Sequence, residues 1–212
     1  MKIKKDKKYM SIVRHYESCL KEYGDNHLGV GWSNEQDNKK RYEVMLGVMA
    51  SDTSKNIKLL DFGCGTAQLY AHIKARKMKS IIYSGLDISK NYTDIAQRKY
   101  PALKFYNVDI LNKGPCIPKF DYVVMNGVFT QKRDLTFCEM FEYFKQTLNA
   151  VFPRIRKAMA FNVMSKGVDW ENKGNFYLSF DQLAGFLIKN ISKKFVFRHD
   201  YGLYEYTAYV YK

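Results

Sequence analysis

Apolar residues recur along this chain at two periods, and the change from one to the other marks out a succession of helices and strands. Over residues 9–22, Tyr9, Ile12, Val13, Tyr16 and Leu20 fall on one broad face, which predicts an amphipathic helix ending before Gly24. The next stretch, Gly24-Asp25-Asn26-His27-Leu28-Gly29-Val30-Gly31-Trp32, is too rich in glycine for a helix and predicts a loop. Ser33-x-x-Gln36 then reads as a capping box opening a second helix that runs to about Ala50. Beyond it come compact apolar runs of strand length: Leu59-Leu60-Asp61-Phe62, residues 81–87, 104–108, Phe120-Asp121-Tyr122-Val123-Val124-Met125 and 157–164. Such near-continuous runs suit a parallel sheet covered on both faces. Helices are predicted from about Ala67, from Thr136-x-x-Glu139 to a stop or kink at Pro153, and from Ser179-x-x-Gln182. Residues 194–198 and 203–211 form a closing hairpin around Tyr201-Gly202. The reading is an α/β chain with helices on both faces of its sheet.

Composition narrows this further. With 212 residues, 46% hydrophobic content and only four prolines, the chain can bury one substantial core without a long linker. We expect residues 1–50 to form a helical cap within the same domain as a core spanning 51–212. No apolar run approaches the roughly 20 residues that cross a bilayer, and the lysine-rich first eight residues lack the apolar segment of a signal peptide. A cytoplasmic protein without a membrane span is expected. Cys19, Cys64, Cys116 and Cys138 have neither zinc-ligand nor disulfide-framework spacing. The formal charge of +14, from 35 basic and 21 acidic residues, raises the question of nucleic acid. The excess lies largely in the N-terminal tip and in scattered pairs such as Lys132-Arg133, and the aromatic residues mostly occupy apolar-periodic positions. A nucleic-acid partner is therefore possible but not favoured.

The most informative run is Leu59-Leu60-Asp61-Phe62-Gly63-Cys64-Gly65-Thr66-Ala67, where a strand ends in an acid and then in glycines. Gly63 and Gly65 let the backbone turn tightly against a ligand, and the following helix presents free N–H groups beside it. The dinucleotide fingerprint requires a third glycine where this chain has Gln68, and the small residue is instead Ala67. The second strand ends in Asp87-Ile88, which puts a carboxylate where such folds hold both ribose hydroxyls. The third ends in Asp109-Ile110, an acid for an adenine amino group and an apolar side chain for its ring.

The Gly-x-Gly-x-small pattern after Asp61 resembles motif I of the class I S-adenosylmethionine (SAM) methyltransferases, and the order of elements extends the resemblance over nearly the whole chain. That resemblance implies a Rossmann-like fold with a seven-stranded, mostly parallel sheet, an antiparallel last strand, extra N-terminal helices and SAM as cofactor. It puts Asp61, Gly63, Cys64, Gly65, Asp87, Ile88, Asp109, Ile110 and Asn126 around that cofactor. Arg41 would reach its carboxylate and Trp32 would cover it. The stretches Met125 to Thr130, Phe161 to Trp170 and His199 to Thr207 look like a narrower group of small methyltransferases found in surface-polysaccharide assembly in bacteria and in glycan-building proteins of large algal viruses. This implies a sugar hydroxyl as acceptor, for instance on a deoxyhexose such as rhamnose, borne by a small molecule or an oligosaccharide.

Methyl transfer to a hydroxyl needs the acceptor oxygen in line behind the methyl and a general base, which typically contributes about 100-fold to 10,000-fold. The candidate bases are His27 beside Asp25, His199 beside Asp200, and Asp169. Residues 165–178 have the composition of a lid over the acceptor, with Trp170, Phe176 and Tyr177 available to stack on a sugar face. No clustered Asp, Glu and His spacing suggests a catalytic metal. Two other classes stay open: an RNA or protein methyltransferase using the basic surface, and a binding protein that keeps the fold without turnover. Asn126-Gly127-Val128-Phe129 stands where methyltransferases acting on exocyclic amines carry an Asn-Pro-Pro-Tyr type of motif, which favours oxygen over nitrogen as the acceptor. Sequence leaves the oligomeric state open.

Overall fold

A computed structural model describes residues 7–112 and 117–212. The strands are β1 (Ile57–Phe62), β2 (Ile81–Asp87), β3 (Lys104–Asn107), β4 (Phe120–Phe129), β5 (Ile155–Ser165), β6 (Tyr177–Leu178), β7 (Phe195–Arg198) and β8 (Glu205–Tyr211). They form one sheet in the order β3-β2-β1-β4-β5-β8-β7, with β6 attached to β5. The pairs β1–β2, β2–β3, β1–β4 and β4–β5 are parallel, whereas β8 runs antiparallel to both β5 and β7. The sheet is thus mostly parallel with an antiparallel closing strand, as the sequence predicts. The short β6 adds an eighth strand, because the lid segment pairs with the end of β5.

The helices are α1 (Met10–Tyr23), α2 (Glu35–Leu46), α3 (Gln68–Ala75), α4 (Lys90–Lys99), α5 (Phe137–Val151) and α6 (Phe180–Asn190). Both sheet faces are covered, and β4 shows why its run is apolar throughout. Tyr122 and Val124 enter the cluster with Met45 of α2 and Leu69 of α3, while Val123 and Met125 enter the one with Phe144 and Leu148 of α5. Successive side chains point to opposite faces, so a strand sandwiched between helices has no polar side to show. Within residues 7–50, Ile12 joins one of these clusters and Tyr42, Met45 and Leu46 join the other.

Capping chemistry sets several helix starts. Thr136 and Glu139 form the predicted reciprocal box, and Ser179 accepts the Gln182 N–H. The second helix departs from expectation: its N-cap is Asn34, whose side chain accepts from the N–H groups of Gln36 and Asp37, not Ser33. Both residue types cap well, so the sequence alone could not choose between neighbours. This helix also ends at Leu46, with Gly47–Met49 continuing as a 3-10 turn short of Ala50. The helix α4 was not anticipated; it buries Tyr92, Thr93 and Ala96 on an otherwise polar sequence. A 3-10 turn at Phe152–Arg154 holds Pro153 and closes α5. Cys19, Cys64 and Cys138 are free thiols, while Cys116 and the N-terminal tip 1–6 lie outside the described residues.

Candidate active site

The strand order reverses between β1 and β4, and a cavity opens beyond the carboxyl ends of the strands there, the place where open α/β sheets bind ligands. It encloses about 1070 Å³ including its mouth. Its walls include Trp32, Asp61, Gly63, Cys64, Gly65, Asp87, Ile88, Asp109, Ile110 and Asn126. Every cofactor candidate except Arg41 therefore faces one space.

The loop after β1 shows why its residues are small. Gly63, Gly65 and Ala67 have φ values of 74°, 51° and 62°. The N–H groups of Gly63 and Cys64 both donate to the Leu86 carbonyl, at 2.7 and 3.0 Å, which ties the loop to the end of β2. A Cβ on Gly63 would lie 2.7 Å from Val128 Cγ2. Ala67 takes the left-handed conformation at the N-cap of α3 with no side-chain cap, a non-glycine strain on the order of 1 kcal/mol. The first N–H groups of α3 are thereby left uncapped by any side chain.

Two buried carboxylates stand behind this loop. Asp87 Oδ2 accepts the Gly65 N–H at 3.0 Å and Oδ1 accepts the Ser89 N–H at 2.9 Å, while the carboxylate lines the cavity. Burial pushes the Asp87 carboxyl up to about 6, against the Ser89, Gly65 and Ile88 N–H groups, whose hydrogen bonds favour the charge. Asp61 accepts from the Tyr83 hydroxyl at 2.7 Å, and burial, joined by the negative Asp87 nearby, pushes it up to about 7. At the far end, Asp109 Oδ2 accepts from Lys7 Nζ at 2.6 Å and from the Tyr9 hydroxyl at 2.8 Å, while Oδ1 accepts the Leu111 N–H at 3.1 Å. The adenine candidate is thus already tied to the N-terminal segment.

That segment is a wall that sequence reasoning missed. Ile12, Val13 and Tyr16 of α1 line the cavity. The Tyr92 hydroxyl lies 2.7 Å from both the Tyr16 and Gly29 carbonyls, and Ser89 Oγ donates to Glu17, so α1 and the glycine loop are fastened to α4 beside Asp87. The helical spacing of Tyr9, Ile12, Val13 and Tyr16 carried that signal, although the spacing fits any core-facing helix equally well.

At the end of β4, Asn126 lines the cavity and its Oδ1 is buried with no hydrogen-bond partner. A buried acceptor left unpaired is costly, and it marks a place for a ligand donor. Gly127 follows with φ of 78°, and a Cβ there would lie 2.6 Å from the Trp32 ring. Arg41 is the correction. It does not line the cavity; its Nε donates to both oxygens of buried Glu205, at 3.0 and 2.9 Å, and its guanidinium lies 4.1 Å from the centre of the Trp32 ring. The cation is spent on a carboxylate that no sequence pattern pointed to.

The candidate bases are scattered. His27 sits in the loop whose Val30 and Trp32 line the cavity, and its carbonyl accepts the Trp32 N–H at 2.8 Å. Its predicted partner Asp25 instead pairs with Lys99 at 2.7 Å. His199 is exposed, beside Phe180 with the ring centres 5.6 Å apart, and Asp200 pairs with Arg198 at 2.8 Å. Asp169 is exposed in the segment after β5. In the lid, Phe176 and Tyr177 are buried among core residues and are not free to stack on a ligand, whereas Trp170 is 74% exposed. Tyr204, on the adjoining loop, is 76% exposed, and its carbonyl accepts the Ser165 N–H. Among the described residues no group of three or more His, Cys, Asp and Glu is placed to hold a metal, and no helix is long and apolar enough to cross a membrane.

Comparison with known proteins bears on the fold. Residues 60–162, from within β1 to within β5, match the family model of a methyltransferase domain. Over 154 residues the chain is 27% identical to Rv1506c of Mycobacterium tuberculosis, a provisionally named methyltransferase, covering 72% of this chain and 91% of that one. The fold is shared with magnesium protoporphyrin IX methyltransferase from Synechocystis PCC 6803, solved with bound SAM, at a TM-score of 0.66, 16% identity and coverage of 95% and 96% of the two chains. It is shared too with a SAM-dependent methyltransferase from Leishmania major, at a TM-score of 0.65, 14% identity and coverage of 97% and 83%.

Proposed function

We propose that this chain, which matches a methyltransferase family model over residues 60–162 and shares the fold of SAM-dependent enzymes, binds SAM in the cavity at the strand switch and methylates a sugar hydroxyl in glycan assembly. The observation that carries the cofactor reading is the pairing of a backbone cradle with unmet polar capacity. Gly63 and Gly65 turn at positive φ in the cavity wall, where a Cβ would run into Val128 and Val30, the Asp87 carboxylate lines the same wall, and Asn126 Oδ1 has no partner. In this reading Asp87 holds the ribose hydroxyls, Asp109 and Ile110 meet the adenine, and Asn126 accepts from the ammonium of the methionine portion. Asp61 and Cys64 shape the loop, and Trp32 covers it.

When bound, SAM supplies a methyl group already activated on a sulfonium. What remains for the chain is to hold the acceptor oxygen in line, worth about 7–11 kcal/mol, and to take its proton. We assign the proton to His27, whose loop also supplies Val30 and Trp32 to the cavity wall. Asp169 and His199 fit acceptor contacts at the rim of the same sheet edge rather than a base.

The sugar acceptor rests on Trp170 and Tyr204, the two most exposed of the large apolar side chains among the described residues, on loops joined by the Ser165–Tyr204 hydrogen bond. Exposed aromatic faces are costly in water and suit the apolar face of a sugar ring. Incubation with labelled SAM and a panel of deoxyhexosides, with RNA and protein controls, tests the assignment. Label on a sugar hydroxyl supports it; label on RNA or protein alone transfers the activity to the basic surface.

A further inference from the structure

Four elements of the fold meet around Glu205, the first residue of β8. Its carboxylate is 1% exposed, and burial pushes it up while Arg41 and Asn162 oppose the shift by donating to it. Arg41 Nε of α2 reaches both oxygens, and Asn162 Nδ2 of β5 donates to Oε1 at 2.7 Å. The other end of the same amide, Asn162 Oδ1, accepts the Gly127 N–H at 2.7 Å. The Arg41 guanidinium in turn covers the Trp32 ring, and that ring fills the space beside Gly127 that a side chain would need. Gly127 is therefore gripped from two directions, through Asn162 at its N–H and through Arg41 and Trp32 at its Cα.

None of Glu205, Arg41 and Asn162 lines the cavity, whereas Trp32, Asn126 and Gly127 do. A buried ion pair is a poor device for stability alone, since well-packed apolar groups of the same volume often serve as well or better. A network that converges on one turn has another use, because polar contacts fix direction and distance where apolar packing does not. We propose that Glu205 is a positioning residue for methyl transfer: through Asn162 and Arg41 it sets the Asn126–Gly127 turn and the Trp32 wall at the end of the cavity where the acceptor must enter. This rests on the SAM reading of the cavity.

The chain has two tryptophans, so Trp170→Phe leaves Trp32 as the only indole and makes it a reporter of the wall. In that background, titration with S-adenosylhomocysteine is followed by Trp32 emission and, separately, by calorimetry. Glu205→Gln keeps the volume and removes the charge; Arg41→Lys keeps the charge opposite Glu205 and removes the plane over the ring. Each should shift the Trp32 emission of the unliganded protein and weaken S-adenosylhomocysteine at least tenfold, with circular dichroism showing the fold retained. Should Glu205→Gln fail to fold, Arg41→Lys decides. Variants that melt earlier yet bind within twofold of the parent, with unchanged emission, would reduce Glu205 to a structural residue and overturn the proposal. A parent chain giving neither heat nor fluorescence change would instead overturn the cofactor reading, and the proposal with it.

Discussion

Replacing Asp87 with alanine separates binding from folding, because the structure lets both consequences be weighed. On the binding side, the lost carboxylate would have held two ribose hydroxyls; charge-assisted hydrogen bonds contribute about 1.5–3 kcal/mol each, so affinity should drop by about 3–6 kcal/mol, or roughly 100-fold to 10,000-fold. On the folding side, the Gly65 and Ser89 N–H groups lose their acceptors, a cost of about 1–3 kcal/mol each where water cannot reach them. Against that, alanine removes a carboxylate that burial holds near 6, which relieves on the order of 3 kcal/mol at neutral pH. The relief offsets much of that loss and leaves a net cost of at most about 3 kcal/mol, so the variant should fold. Calorimetry at pH 7.5 should then show S-adenosylhomocysteine binding in the micromolar range for the parent and almost none for Asp87→Ala. The parent should also lose affinity as the pH falls through 6, where the carboxylate takes up its proton. A folded variant that binds within threefold of the parent would refute the ribose assignment.

Asp61→Asn should stabilise the unliganded chain by a few kcal/mol at pH 8 and by clearly less at pH 5. The sign follows from a folded-state value near 7 against an ordinary one near 4: the unfolded chain ionises first, so this carboxyl takes stability away as pH rises between them. Urea unfolding at the two pH values checks it, and an equal effect at both would contradict it. His27→Ala should leave S-adenosylhomocysteine affinity unchanged and slow turnover at least about tenfold; an unchanged rate would send the base elsewhere. Trp170→Ala should raise the acceptor KM on the order of tenfold without moving the KM for SAM, and steady-state kinetics with an active deoxyhexoside would show whether it does.

Most of the fold was legible because a sheet covered on both faces leaves long apolar runs that no other arrangement explains as well. The lining of the cavity was legible for a related reason: the ends of β1, β2 and β3 bring Gly63, Asp87 and Asp109 to one edge, and strand ends can be read from a sequence. Arg41 was misread because its helix position says only that it stands near the sheet edge. Its partner Glu205 lies far along the chain, and no spacing rule links an arginine on a helix to a carboxylate on the last strand. Phe176 and Tyr177 failed as stacking residues because β6 pairs with β5 and draws them into the core. The wall formed by α1 was hidden since Ile12, Val13 and Tyr16 read the same whether they face a core or a cavity. The His27–Asp25 and His199–Asp200 pairs failed for a simpler reason: in each case a nearby cation, Lys99 or Arg198, takes the carboxylate first.

A crystal of the full chain grown with S-adenosylhomocysteine would test the central claim most directly. The account predicts an adenosyl group in the cavity, its ribose hydroxyls on the Asp87 carboxylate, the backbone of Gly63 and Gly65 within contact, and a donor of its amino-acid end on Asn126 Oδ1. Density for the ligand elsewhere on the chain, or a cavity that stays empty at saturating ligand, would contradict it.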